Sequence, residues 1–148
     1  MKYLLLLFSF LSWSQQTAKV NFTECHATVT PDYNLRKVEG KVVYHFKVLQ
    51  PTDTIRIDAK DMNFTEVKIN NKPVNFKNNK KELLLFEGFR KGNNRVSFNY
   101  TAFPKQTMYF TGQGETAQIW TQGQGKYTSH WMPSFDDVNE KVIFNLQI

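Results

Sequence analysis

Apolar residues recur at every second position along most of this chain, and this period constrains the fold more than any other feature. In residues 38–48 the apolar side chains fall on one face and the charged or polar side chains on the other. A period of two is typical of a half-buried β-strand. The same alternation predicts further strands with inward-facing Ile55, Ile57 and Ala59; Val67 and Ile69; Leu83 and Leu85; Val96, Phe98 and Tyr100; and Val142, Phe144, Leu146 and Ile148.

Turn-forming residues separate these apolar runs. They are Pro31-Asp32, the Asn-Asn-Lys-Pro sequence at residues 70–73, Asn78-Asn79 and the Gly-Asn-Asn sequence at residues 92–94. Asn and Gly tolerate a positive φ, and Pro presets the turn. Short strands at this spacing predict an all-β fold, an antiparallel β-sandwich with almost no helix. A chain of 148 residues has room for one such domain.

The N-terminus has the order of an export signal. Lys2 precedes an apolar run over residues 3–13, and the small residues Ser12 and Ser14 suit the positions before a cleavage site. We predict a signal peptide at residues 1–14, a mature domain at residues 15–148 and an exported protein in the periplasm, at the cell surface or secreted. The alternative is a short membrane anchor, but the apolar run is shorter than the ~20 residues that span a bilayer. We therefore expect no stable membrane span after cleavage.

Composition excludes several other classes of function. The formal net charge of +6 falls to +5 once Lys2 is removed, and the remaining lysines are spread over turns and strand faces. Nucleic-acid binding is therefore not indicated. A single cysteine excludes an intramolecular disulfide, and Cys25 is expected to be a small buried residue in a strand.

The segment at residues 119–137 is the candidate functional region. Gln122-Gly123-Gln124-Gly125 combines glycines, which allow close backbone approach, with neutral amides that both donate and accept hydrogen bonds. We interpret these four residues as a substrate-binding surface. The Trp-Met-Pro-Ser-Phe-Asp-Asp run at residues 131–137 is interpreted as its rigid anchor. Tyr127, His130 and Trp131 are possible secondary binding residues.

The sequence contains no complete catalytic or metal-binding motif. Its histidines, at positions 26, 45 and 130, have no zinc-ligand spacing, and Ser134 is not in a Gly-x-Ser-x-Gly turn. Asp136 and Asp137 have the composition of an acid–base pair, but two acidic residues after an aromatic residue more often cap a turn or pair with lysine. We expect no metal and no catalytic residue in this chain.

The candidate region resembles the end of the N-terminal domain of the zinc aminopeptidases related to aminopeptidase N and leukotriene hydrolase, which are gluzincins. That family has a Gln or Glu with small neighbours, an aromatic-x-Pro-x-x-Asp run, then Lys and an apolar strand. The matching residues are Gln124 with Gly123 and Gly125; Trp131, Pro133 and Asp136; and Lys141 with residues 142–146. Weaker similarity covers residues 38–42, 54–58 and 67–70. Ser129 and Val138 depart from the family's usual Arg and Pro.

The resemblance implies a saddle-like β-sandwich and a role in substrate recognition. In that family the matched Gln or Glu receives the free α-amine of a peptide, so Gln124 is implied as the amine-binding residue. The zinc helix and the second substrate loop of the family are not in this sequence. The implied partners are a peptide with a free amino terminus and the protein's own catalytic domain, which would hold the zinc.

Two further interpretations stay open. The chain is either the first domain of a longer polypeptide, which the unbroken strand pattern up to Ile148 favours, or a stand-alone exported module. In the second case Gln122, Gln124, Tyr127 and Trp131 form a neutral face for a peptide, a glycan or a protein. The amino-acid preference for the peptide's first residue and the oligomeric state are not encoded in any motif of this sequence.

Overall fold

The protein is described from a computed structural model that covers residues 16–123 and 126–148. The predicted signal peptide lies outside the described residues. Within these residues, 3-10 helices occur at Gln16–Ala18, Gly114–Thr116 and Thr128–His130. The strands are β1 (Val20–Asp32), β2 (Lys37–Val48), β3 (Ile55–Asp58), β4 (Asn63–Ile69), β5 (Lys72–Pro73), β6 (Phe76–Asn78), β7 (Glu82–Leu85), β8 (Gly92–Ala102), β9 (Met108–Thr111), β10 (Gln118–Thr121) and β11 (Ile143–Gln147).

The strands form three sheets, and the predicted all-β sandwich is confirmed. The main sheet has the order β11-β1-β2-β8-β4-β5, a second sheet has the order β3-β7-β6, and β9 pairs with β10. One hydrophobic cluster contains residues of the first two sheets, including Tyr44 and Phe98 from one and Ile57 and Leu85 from the other. Every pairing is antiparallel except that of β1 with β11, which is parallel.

The core follows the period of two in the sequence. On β2, Val42, Tyr44, Phe46 and Val48 are all buried between more exposed neighbours. Removing each such side chain from water contributes about 1.5–3 kcal/mol to folding, before the cost in conformational entropy. Cys25 is fully buried as predicted, and this burial raises the pKa of its thiol from 9.0 to about 11.

Gly40 shows why one position in β2 has no side chain. Gly40 lies opposite Tyr100 of β8, and a Cβ atom at Gly40 would overlap the Tyr100 ring. Tyr100 is itself buried in the core. Glycine is therefore required here by close packing rather than by a turn.

Asparagine turns occur at residues 70–71 and 78–79 as predicted, but the Gly-Asn-Asn sequence at residues 92–94 begins β8 instead of forming a turn. Asn70 and Asn71 both have a positive φ, at 51° and 66°, between β4 and β5. Asn79 accepts hydrogen bonds through its side chain from the backbone N–H groups of Lys81 and Glu82, at 2.9 and 2.7 Å. The first predicted turn is displaced: Pro31 and Asp32 end β1, and the turn follows at residues 33–36.

The last strand, like β10, has no buried residue on either face. All five residues of β11 are exposed, although Ile143, Phe144 and Leu146 are apolar. β11 pairs with β1 along one side and lies at the edge of the main sheet. In the described part of the chain, no helix is long and apolar enough to cross a membrane.

Candidate functional site

Residues 131–134 of the predicted anchor at residues 131–137 are buried in the body of the domain. Trp131 is only 9% exposed, and Met132 and Ser134 are more deeply buried. The Tyr44 hydroxyl donates a hydrogen bond to the backbone carbonyl of Pro133 at 2.7 Å. Burial raises the pKa of Tyr44 well above its ordinary value, so this hydroxyl stays protonated and remains a donor.

Backbone bonds join the same anchor to β3. Asp58 and Ser134 exchange two backbone hydrogen bonds, each 2.9 Å long. The Lys60 N–H donates to the carbonyl of Ser129 at 2.8 Å. The anchor is therefore fixed to the second sheet by its main chain and to the main sheet by Tyr44.

Asp136 caps the turn before the anchor. Its carboxylate accepts one hydrogen bond from the N–H of Tyr127 at 3.1 Å and another from the Ser129 hydroxyl at 2.8 Å. The Asp136 N–H donates to the Asp58 carboxylate at 2.8 Å. Burial raises the pKa of Asp58, partly offset by this hydrogen bond. The interpretation of Asp136 as a turn cap is confirmed.

Asp137 has a similar local role and does not form an acid–base pair with Asp136. Its carboxylate accepts a hydrogen bond from the backbone N–H of Asn139 at 2.9 Å. Ser129, where the related family usually has an arginine, is fully buried and bonded to Asp136. The short side chain of Ser129 thus stands where the family has an arginine, and its hydroxyl still donates a hydrogen bond to the Asp136 carboxylate.

The predicted substrate-binding surface is described only in part. Gln122 and Gly123 are exposed, whereas Gln124 and Gly125 lie outside the described residues. The Gln122 N–H donates to the carbonyl of Thr107 at 2.9 Å. On the far side of the segment, Tyr127 is 50% exposed and has a φ of 85°. The assignment of Gln122, Gly123, Gln124 and Gly125 to substrate binding stays a prediction.

Thr107 forms hydrogen bonds with Gln122 and with Tyr127, one on each side of this segment. The sequence analysis did not identify Thr107. Besides the bond from Gln122 to its carbonyl, its own hydroxyl donates to the carbonyl of Tyr127 at 2.9 Å. The only signal in the sequence is Pro104, which favours a turn nearby but does not identify a bonding residue.

The predicted secondary residues separate into two groups. Tyr127 and His130 lie together at the surface with ring centroids 5.8 Å apart, whereas Trp131 belongs to the hydrophobic core. His130 Nε2 lies 2.9 Å from the Gln106 amide nitrogen, which donates when the imidazole is neutral. Partial burial lowers the pKa of His130, against the opposing effect of Asp136.

The other histidines have surface roles, as expected. His26 is exposed on β1 and lies 2.9 Å from the Glu24 carboxylate, and His45 on β2 is partly exposed. Among residues 16–123 and 126–148, no three His, Cys, Asp or Glu side chains are grouped so that they would hold a metal ion.

A stacked aromatic pair on the β9–β10 hairpin, of which Trp120 is exposed and Tyr109 partly buried, was not predicted. Tyr109 and Trp120 face each other across the two strands, with stacked rings 4.3 Å apart. Trp120 is nevertheless exposed on its other side. Stacked aromatic rings at the surface are typical of binding faces, because they present a large apolar area at low entropic cost.

Comparisons with known proteins agree with the arrangement of strands. Residues 23–148 match the family model of the peptidase M1 N-terminal domain. Among solved structures, the M1 zinc metallopeptidase from Deinococcus radiodurans is 12% identical, with a TM-score of 0.72 over 86% of this chain and 32% of that chain. Its E323A mutant bound to a Tyr-Ser-Ala substrate has a TM-score of 0.73 at 14% identity, with the same coverage of both chains.

A third similar structure is yeast LTA4 hydrolase in complex with bestatin. It is 15% identical, with a TM-score of 0.75 over 97% of this chain and 27% of that chain. At such identities the similarity to these structures concerns the fold. The chain spans 32% or less of the length of each of the three. No curated protein matches it.

Proposed function

The chain belongs to the peptidase M1 N-terminal domain family, and from this premise we propose that it is the substrate-recognition domain of an exported zinc aminopeptidase. The observation that carries the proposal is the family match, which runs from β1 to Ile148. Export is supported by the order of charge, apolar run and small residues in residues 1–14.

We assign the recognition step to Gln124. Its amide oxygen accepts a hydrogen bond from the ammonium group at the start of a peptide, and a blocked terminus cannot supply that donor. Structures of M1 zinc metallopeptidases with this fold include complexes with L-tryptophan and L-arginine, both of which have a free α-amine. Gln124 thus selects peptides by their amino terminus and takes no part in bond cleavage.

Zinc is assigned to a catalytic domain of the same polypeptide. The described residues do not fit a zinc site, because no three potential ligands are grouped among them. Zinc would supply Lewis-acid activation of water and of the scissile carbonyl. Neither Gln122 nor Gln124 is a preferred zinc ligand. The Gln-Gly segment, residues 122–125, therefore contributes substrate binding and specificity instead.

The surface around β11 is the proposed contact with that catalytic domain. Ile143 is 68% exposed, and a groove of about 340 Å³ runs beside β11, lined partly by Trp131, Phe135, Phe144 and Leu146. An uncovered apolar edge strand promotes aggregation, so such strands are normally covered. The solved two-domain relative is about three times as long as this chain, which covers 32% of it.

The test is Gln124→Ala in the polypeptide that includes the catalytic domain. Loss of a hydrogen bond to a charged group, worth about 1.5–3 kcal/mol, lowers kcat/KM for free-amine peptides by roughly 10- to 100-fold. KM rises, and kcat also falls if the amine is held more tightly in the transition state. Gln118→Ala, which removes an exposed glutamine from β10, is the matched control. Unchanged kinetics in Gln124→Ala would refute the assignment.

The 148-residue chain provides a second test of the same proposal. It should release no product from an aminoacyl chromogenic substrate, even with zinc supplied, because the described residues contain no zinc site. Turnover that a chelator abolishes would contradict this division of roles.

The second candidate function is a stand-alone binding module for a peptide, a glycan or a protein. The observation in its favour is the exposed Trp120, which stacks on the partly buried Tyr109. The burial of Trp131 removes one residue from the face first assigned to this function. Saturable ligand binding by the 148-residue chain, lost in Trp120→Ala, would favour this function over the first.

A further inference from the structure

The second layer of the sandwich does not cover the last strand of the main sheet. Among the described residues, the main sheet has six strands and the second sheet has three, extended by the isolated bridge between Asp58 and Ser134. Beside β11 lies the groove of about 340 Å³ noted above, here called the β11 groove. Its apolar lining residues are Trp131, Met132, Phe135, Val142, Phe144 and Leu146. The core is therefore incomplete along this edge.

The face of β11 that borders the groove is the one that continues the core. Phe144 and Leu146 pair with Cys25 and Ala27, which are both buried on the core face of β1. The Phe144 ring meets the buried ring of Tyr44 edge-on, with centroids 6.5 Å apart. Phe144 is nevertheless 41% exposed, and Leu146 is 46% exposed. Apolar side chains that continue a core and are only half covered are typical of an interface.

An acidic depression adjoins the β11 groove. Phe135 and Glu140 line both concavities, and the depression has a volume of about 130 Å³. Its charged lining residues are Arg56, Asp58, Glu82, Asp137 and Glu140. Arg56 is paired with Glu82 at 3.4 Å. The three other carboxylates leave the depression acidic, so it complements a positively charged group.

Burial and like charges disfavour ionised carboxylates in this depression. Burial raises the pKa of Glu140, the N–H of Phe22 offsets part of the increase, and the charge of Asp137 adds to it. Burial also raises the pKa of Asp58. A positive charge in the depression would relieve the repulsion and favour the ionised forms. The electrostatics therefore favour a cationic occupant.

Ser134 provides a second and independent sign of an occupant. It lines the β11 groove, is only 3% exposed, and its hydroxyl has no hydrogen-bond partner in the described part of the chain. Buried hydroxyl groups are normally paired, because an unpaired one has lost its hydrogen bonds to water. A polar group of an occupant would pair it. The groove thus combines apolar walls, an unpaired hydroxyl and an acidic end.

We propose that the β11 groove binds a basic apolar segment of the catalytic domain, whose apolar side chains cover Phe144 and Leu146 and whose Lys or Arg side chain enters the acidic depression beside Glu140. The chain covers only 32% of a solved two-domain M1 zinc metallopeptidase with this fold, so that relative has a second domain able to cover this edge. The identity of the occupant rests on the proposed function, whereas the chemistry of the groove does not.

The test measures how tightly the two domains hold each other. A protease site is introduced after Ile148 in the polypeptide that includes the catalytic domain, the folded polypeptide is cut there, and the dissociation constant of the two pieces is measured on dilution. Glu140→Gln keeps an acceptor for the Phe22 N–H but removes the charge, and should weaken association by about tenfold. Phe144→Ala should weaken it by about fivefold or more. Wild-type affinity in either variant would overturn the proposal.

Two controls separate docking from folding. Glu115→Gln removes an exposed carboxylate between β9 and β10 and should associate as tightly as wild type. In the 148-residue chain at pH 7, Glu140→Gln should leave the Tm unchanged or raise it, because burial and Asp137 disfavour the charged form there. A lower Tm of this variant would mean that Glu140 acts on folding, and it would overturn the proposal.

Salt and Ser134→Ala test the chemistry of the occupant. Raising the salt concentration to about 0.5 M should weaken association of the wild type more than that of Glu140→Gln, because an attraction that the variant has already lost cannot be screened. Ser134→Ala should leave the 148-residue chain at least as stable as wild type and weaken association severalfold. An equal effect of salt on both proteins, or unchanged association in Ser134→Ala, would overturn the proposal.

The remaining outcomes distinguish this proposal from the proposed function and from another occupant. If Gln124→Ala leaves peptide kinetics unchanged while Glu140→Gln and Phe144→Ala weaken association, the recognition role fails and the docking stands. If Gln124→Ala raises KM but both groove variants associate like wild type, the docking fails. A dimer of the 148-residue chain that dissociates in Phe144→Ala would assign the groove to a second copy and overturn the proposal.

Discussion

The main sheet and the β9–β10 hairpin use their aromatic residues in opposite ways. Phe22, Tyr44 and Phe98 of the main sheet are buried in one continuous core, whereas Tyr109 and Trp120 of the hairpin stack on each other at the surface. The main sheet therefore gains its stability from its own burial. The hairpin contacts this core only through Met108 and Phe110 of β9, and the segment after it is held by polar bonds to the rest of the domain.

This difference shows how an exposed segment is attached to a rigid body. The segment and its anchor are held by Tyr44 at Pro133, by Asp58 at Asp136 and by Thr107. Each bond joins a residue of the C-terminal region to a separate part of the fold. Binding surfaces are commonly placed on such segments, because few of their groups are needed for the core.

The strongest test of the comparison is a pair of aromatic truncations. Phe98→Ala removes a buried ring from the core and should lower the free energy of unfolding by about 3–5 kcal/mol. Trp120→Ala removes an exposed ring, loses only the stacking with Tyr109 and should cost about 1 kcal/mol or less. Urea denaturation followed by circular dichroism measures both. Equal losses would mean that Trp120 is packed as tightly as a core residue.

The bond between the two regions should give an intermediate effect. Tyr44→Phe leaves the buried carbonyl of Pro133 without its donor and should lower the free energy of unfolding by about 1–3 kcal/mol. The control is Tyr33→Phe, because the Tyr33 hydroxyl donates to the carbonyls of Thr111 and Gly112 at an exposed site where water can substitute. Urea denaturation measures the free energy of unfolding of both variants. Similar losses would mean that the hydrogen bond from Tyr44 to Pro133 is no more important than an exposed one.

The smallest expected effect concerns pH and His130. Partial burial lowers the pKa of His130 below 6.5, so the unfolded chain binds its proton more readily than the folded one. The stability from neutral His130 is present above pH 6.5 and declines as pH falls towards the lowered pKa. Between pH 7.5 and pH 5, the fall in Tm should be smaller in His130→Gln than in wild type. An identical fall in the two proteins would show that His130 does not contribute.

Much of the fold was predictable because burial and side-chain period are linked in a sheet. Successive side chains of a strand point to opposite faces, so Val42, Tyr44, Phe46 and Val48 could be assigned to the core from their spacing alone. The same period did not predict that β11 would pair in parallel with β1. Alternation specifies which face of a strand is buried, but it does not specify the neighbouring strand or its direction.

The candidate site was predictable only where side-chain chemistry repeats a known pattern. Asp136 could be recognised as a turn cap from residue type and spacing, because capping is a local feature, whereas the role of Gln124 stays a prediction. Thr107 could not be found in this way. Its role depends on bonds to residues 15 and 20 positions away along the chain, which exist only once the β9–β10 hairpin has formed.

The sequence by itself determined the all-β class, the residues of the core and the resemblance to the M1 peptidases, because these depend on period, composition and short spacings. Only the tertiary structure decided that Trp131 is buried, that β11 is left open along an edge, and that Thr107 holds a strained conformation between Gln122 and Tyr127. The physical reason is that hydrogen bonds and packing between distant segments depend on the path of the chain, which no local pattern records.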